Sequence, residues 1–157
     1  MGLNKGPFVI AQSFSVENPY GGEGSIELPF PDPDEVPVVV ATVDVCVQQP
    51  QKTQVSIDSM TQIAVIGNPG LDSISFEVKY EILRNGTTIA TINDEMDYAK
   101  PNSIEFRHTN FPNFPLVDED PDPGINKYDL RCTFLSFFGV NSIFAGSRSL
   151  KATVITI

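Results

Sequence analysis

Ser73-Ile74-Ser75-Phe76-Glu77-Val78-Lys79-Tyr80-Glu81-Ile82-Leu83-Arg84-Asn85-Gly86-Thr87 is the stretch on which the fold turns. Ile74, Phe76, Val78, Tyr80 and Ile82 alternate with Ser73, Ser75, Glu77, Lys79 and Glu81, a period of two that makes one face of a strand apolar and the other wet. Asn85-Gly86 follows between β-prone flanks. Both residues accept the positive φ of a tight turn, so the dipeptide reads as a hairpin, with its return strand over residues 87–93. Asn85-Gly86-Thr87 is also formally a glycosylation acceptor, but the turn explains it better.

Working outward, the same alternation recurs and helical periodicity is nearly absent. Residues 36–47 are apolar on both parities, as in a strand covered on both faces. Residues 54–57 and 62–66 are shorter candidates separated by polar turn residues. Ile104 and Phe106 alternate after the Pro101-Asn102 turn. Tyr128, Leu130, Cys132, Phe134 and Phe138 share one face of a long strand, and Leu150, Ala152 and Val154 share a face of the last. The pattern predicts an all-β fold: an antiparallel β-sandwich, a jelly roll of about eight to ten strands.

The start of the chain is set apart. Phe8, Ile10, Phe14 and Val16 point one way, and a Gly/Pro-rich stretch runs from Asn18 to Pro37. About twenty residues without regular structure inside a compact domain are unusual. The division expected is therefore an N-terminal assembly arm (1–17), a linker (18–37) whose first half is flexible and second half stiff, and the sandwich (38–157). A free apolar strand templates pairing with another chain. The arm is expected to complete the sheet of a neighbouring copy, with Phe8, Val9, Ile10, Phe14 and Val16 at the interface. The alternative keeps it as the first strand of its own jelly roll, joined by a loop across the end of the sandwich.

Composition narrows the partners. The net charge of −10 and pI near 4.3 repel nucleic acid and anionic membranes, and no basic cluster overrides the mean. The first residues lack the features of a secretory signal, and no stretch approaches the roughly 18 apolar residues of a membrane helix. Enzyme activity is not expected. His108 is the single histidine, too few for a multi-histidine metal centre, and no nucleophile elbow accompanies the serines and aspartates. No cofactor is implied.

Three further features are candidates. Asp118, Asp120 and Asp122 alternate as calcium ligands do, but Pro123 stands where such a loop needs Gly, so a solvated acidic turn is the better reading. Phe111 and Phe114, on a proline-rich loop, form either an exposed contact patch or a plug over the sandwich end. Cys46 and Cys132 both fall on apolar parities and are expected as buried free thiols, with a bridge between them or to a neighbouring chain as the alternative.

Four segments, in order, carry a resemblance: the apolar arm over residues 8–16, Val38-Val39-Val40-Ala41-Thr42-Val43-Asp44-Val45, Tyr80-Glu81-Ile82-Leu83-Arg84-Asn85-Gly86-Thr87-Thr88-Ile89, and Ser147-Arg148-Ser149-Leu150-Lys151-Ala152-Thr153-Val154-Ile155. Together they resemble the jelly-roll subunits that polymerise into bacterial endospore appendages or exosporium fibres. The resemblance spans most of the chain and is one of strands and turns. It implies a structural, self-assembling subunit of a spore-surface fibre, made in the mother-cell cytoplasm without a signal peptide. Its copies would join head to tail by β-strand donation from the arm, with an anchor or tip protein as a further partner. Family members that cross-link covalently carry cysteines in the extension; this arm has none, which favours non-covalent stacking. The alternative function is a binding or tip module recognising a receptor or glycan.

Overall fold

The computed structural model describes residues 7–99 and 106–157. Its strands are β1 (Phe8–Phe14), β2 (Ile26–Glu27), β3 (Val38–Val47), β4 (Thr53–Gly67), β5 (Ser73–Arg84), β6 (Thr87–Ala99), β7 (Arg107–Asn110), β8 (Leu116–Asp118), β9 (Gly124–Phe138) and β10 (Val140–Thr156). The hairpin at Asn85-Gly86 is the innermost turn of the arrangement. Asn85 has φ +50° and Gly86 φ +83°, both in the left-handed region that a two-residue hairpin requires. From this tip the chain nests outward in antiparallel pairs: β5 with β6, β4 with β7 and β8, β3 with β9, and β1 with β10.

Folding that nested hairpin over itself yields two sheets, β1-β10-β4-β7 and β3-β9-β5-β6, with β2 added to β10 and β8 to β4. Successive strands change sheet except at β1–β2, which both pair with β10, at the β5–β6 hairpin, and at β7–β8, which act as one interrupted strand along β4. This is the winding of a jelly roll, and the expected fold class is correct.

The core lies between the sheets. Ile74, Phe76, Val78, Tyr80 and Ile82 of β5 meet Tyr128, Leu130, Cys132 and Phe134 of β9 and Leu150 and Ala152 of β10, all buried. Two β-bulges correct the parity read from sequence. In β3, Val39 pairs with Arg131 and Ala41 with Leu130, which leaves Val40 as the extra residue. A bulge lets two residues of one strand face one of its partner. Val43, Val45 and Val47 therefore point inward and Cys46 points out, so Cys46 is exposed, contrary to expectation, whereas Cys132 is buried; both are free. A second bulge, opposite Glu77 and Val78, turns Phe138 outward although it shares parity with Phe134. A third lies in β10 between Ala145 and Arg148. The two short candidates at 54–57 and 62–66 are one strand, β4, running without a break because Ser59 and Thr61 are themselves buried. Phe106 is buried, while Ile104 and the Pro101-Asn102 turn lie outside the described residues.

The division at residue 38 is also corrected. Residues 18–37 do not form a free tether. Val16 and Leu28 are buried, β2 pairs with β10, and the Phe30 ring packs 5.4 Å from Phe134 and 4.8 Å from Phe137. The Tyr20 hydroxyl hydrogen-bonds the Thr109 hydroxyl at 2.8 Å. Apolar side chains spaced through the Gly/Pro-rich segment dock it across the sandwich.

Candidate assembly surface

Within one chain β1 is the outer strand of the first sheet, registered against β10 from Phe8 opposite Val154 to Phe14 opposite Arg148. The detached arm expected from sequence is thus, in the single chain, the first strand of its own jelly roll. The physical reason is the nesting: once β3 pairs with β9, the strand before β3 meets the strand after β9.

Arg148 secures this closing pair. Its Nε donates to Val40 O at 2.8 Å, and its Nη1 donates to Gly24 O and Gly146 O, each at 2.9 Å. The guanidinium also sits 4.3 Å from the centre of the Phe14 ring. Burial lowers its pKa from the ordinary arginine value. Gln12 Oε1 accepts from the Thr42 amide at 2.8 Å, tying β1 to the edge of β3 in the other sheet. The Ser147 hydroxyl accepts from the Val16 amide at 2.9 Å.

The proposed interface residues divide sharply. Val16 is 7% exposed and belongs to the core, whereas Phe8 is 67%, Val9 60%, and Ile10 and Phe14 each 38% exposed. Ala11 and Ser13 face outward, lining a shallow cleft of about 420 Å³ with Asp58, Met60, Ser149 and Lys151.

Exposed edges are ordinarily defended by charge, proline, bulges or shortness. β6 carries Asp94, Glu95 and Asp97. β7 and β8 have four and three residues, with Pro112 and Pro115 between them. β3 has its bulge and Asp44, and its Thr42 amide is already taken. β1, Phe8-Val9-Ile10-Ala11-Gln12-Ser13-Phe14, has no charge, no proline and no bulge in its ladder. Among the described edges it is the undefended one.

The other candidates resolve into structural roles. Asp118 is buried, takes two bonds of 2.8 Å from Arg84 Nη1, and accepts the Tyr128 hydroxyl at 2.7 Å. Asp122 O and Gly124 O accept from the buried Asn126 side chain, and Asp122 Oδ2 accepts from Asn85 Nδ2. The acidic turn is a clasp holding the β5–β6 tip against the start of β9, with its first carboxylate already spent on an arginine. Burial, then the bond to Asp118, pushes the Tyr128 hydroxyl far up, so it stays a donor. Phe111 and Phe114 part company: Phe111 is 53% exposed, while Phe114 packs against the core and exchanges hydrogen bonds with Ser59. No group of three or more His, Cys, Asp or Glu side chains converges as a metal site among the described residues. Sequence reading missed Arg148 and Gln12; the signal available was an arginine on the same parity as Leu150, Ala152 and Val154, the apolar face of that strand.

Two titratable groups link this fold to pH. Burial raises the Glu81 pKa, but the Thr88 and Arg131 hydrogen bonds and the charges of Arg131 and Lys79 outweigh it and hold the carboxyl below its usual value. His108, against the Phe76 and Tyr98 rings, is lowered by burial more than Asp94 raises it. A depressed carboxylate stabilises the fold above its unfolded pKa of about 4.3, and that contribution is lost as pH falls through the folded value. A depressed histidine costs stability as pH falls below its unfolded pKa of about 6.5, because the unfolded chain binds the proton first. The urea midpoint is expected to fall in two stages on acidification. His108→Phe should remove the upper stage and Glu81→Gln the lower; two unchanged stages in either variant would contradict the assignment.

No protein-family model matches the sequence, and no curated protein matches it. The fold is similar to the VP2 subviral particle of infectious bursal disease virus, with a TM-score of 0.50 at 15% identity over 94% of this chain and 32% of that one. The Gx strain of the same virus aligns at a TM-score of 0.48 and 15% identity, over 97% of this chain and 32% of the other. The chain spans about a third of the length of these proteins.

Proposed function

We propose that this protein is a structural subunit whose task is to bind copies of itself. The observation that carries this reading is the β1 edge, a neutral apolar strand left undefended on a molecule of net charge −10. The likeness to VP2 supports it from the side of the fold, since a similar sandwich serves there within a subviral particle.

The assembly proposed is head to tail, by exchange of β1. Each copy's β1 leaves its own β10 and lies on the β10 of the next. Exchanging an identical element costs little, because the ladder broken within one chain is remade between two. Residues 15–25, with Gly21 at φ +92° and Gly24 at φ +84°, form the hinge. Such a joint is heterologous and grows a fibre unless its rotation closes a ring. The spore surface, as exosporium or appendage, is the proposed place, with an anchor or tip protein at the fibre's end; these rest on the resemblance in strand pattern.

Ile10 and Ala152 stand directly opposite in the β1–β10 ladder. With Cys46→Ser removing the exposed thiol, Ile10→Cys with Ala152→Cys should give multiples of the chain mass on a non-reducing denaturing gel after oxidation. A single-chain band alone would overturn exchange. Negative-stain imaging of the concentrated protein should show regular fibres, and a monomer at every concentration would overturn the structural reading.

A further inference from the structure

The strand that closes the fold also has a second, unused edge, and its sequence is nearly symmetric in size. Phe8 and Phe14 stand at its two ends, Val9 and Ser13 next, Ile10 and Gln12 next, and Ala11 in the middle. We infer that β1 pairs with β1 of a second copy, antiparallel about a two-fold axis through Ala11, joining the two β10-containing sheets into one. This inference rests on the reading that copies associate, and it names a contact distinct from head-to-tail exchange.

Centring the pair on Ala11 puts Phe8 of each copy opposite Phe14 of the other, so an aromatic pair forms at both ends. Directly opposed side chains in an antiparallel pair lie about 4.5–5.5 Å apart at Cβ, and aromatic pairs are among the favourable ones. The axis itself is where one side chain meets its own copy, and the smallest residue of the strand stands there. The four large apolar side chains that β1 exposes, Phe8, Val9, Ile10 and Phe14, all lie on this strand.

Charge selects the occupant. Two molecules of net charge −10 repel through most approaches, and the acidic β6 edge repels its own copy. β1 carries no charge, and across it Arg148 lies over the Phe14 ring. A second copy of the same neutral strand therefore meets the least repulsion here. Edge pairing also satisfies the outward backbone groups that an open strand leaves to water.

The arrangement makes a geometric demand that single cysteines read directly. The Ala11 side chain faces outward, so in the pair the two copies of residue 11 face each other on one surface. Residue 9 and its own copy are offset by four residues along the strands, about 14 Å at 3.4 Å per residue. In the Cys46→Ser background, Ala11→Cys should run after mild oxidation as a two-chain band that reductant collapses, while Val9→Cys stays at one chain. Equal cross-linking of the two variants, or none from Ala11→Cys, would overturn the two-fold pairing. If the Ile10–Ala152 pair still cross-links between chains in that case, self-association stands and this contact alone is wrong. If neither cross-links between chains, both readings fail.

Discussion

Asp118→Ala is expected to lower the unfolding free energy by about 3–5 kcal/mol, the usual cost of removing one partner from a buried ion pair. Asp118 holds Arg84 through two 2.8 Å bonds and takes the Tyr128 hydroxyl at 2.7 Å. Alanine strands both donors in a site where the aspartate is 7% exposed. The tip of the β5–β6 hairpin then loses its hold on β9, at the point from which the nested pairs grow. Asp118→Asn keeps one accepting oxygen for Arg84 and Tyr128 to share and should cost about half as much, on the order of 2 kcal/mol. Asp122→Asn is the control: its side chain is 57% exposed and Arg84 Nε lies 3.7 Å away, so an effect within about 0.5 kcal/mol is expected. Urea denaturation of the three variants checks the order. An Asp118→Ala protein as stable as Asp122→Asn would mean that the clasp is not what pins the hairpin.

The β5 strand and its turn were fully legible because their information is local. Alternation decides which face is buried, and Asn85-Gly86 fixes where the chain reverses. The fold class followed from many such strands in series. Bulges were not legible, since one extra residue shifts parity without changing composition; that is why Cys46 and Phe138 were assigned to the wrong face. The partner of β1 was not legible either. A strand of the same sequence serves equally in its own sheet or in a neighbour's, and residues 18–37 carry enough glycine and proline to suggest a tether. The contrary signal was apolar spacing within that segment: Ile26, Leu28 and Phe30 each find a place on the sandwich. Asp118 was found by its spacing but misassigned in chemistry, because Arg84, 34 residues away, and Tyr128, 10 residues away, reach it from other strands.

Arg148→Met should cost about 3 kcal/mol and, more tellingly, should loosen β1 before the rest of the sheet. Methionine keeps much of the apolar volume beside Phe14 but leaves the carbonyls of Val40, Gly24 and Gly146 without the donor they now share. A buried acceptor stranded in this way costs about 1–3 kcal/mol, and partial relaxation of the 15–25 loop limits the sum. Those three carbonyls belong to β3, to the loop after β1 and to the bulge in β10, so one side chain fastens the hinge and the strand it carries. Amide hydrogen exchange should show protection falling across Phe8–Phe14 while β4, β5 and β9 keep theirs. If β1 exchanges between copies, the same variant should form the Ile10–Ala152 inter-chain cross-link faster, because the guanidinium's bonds must break before the strand leaves. Arg148→Lys, with charge but no fork, should fall between. Unchanged protection of β1 in Arg148→Met would show that the ladder with β10 holds the strand unaided, and that Arg148 does not gate its release.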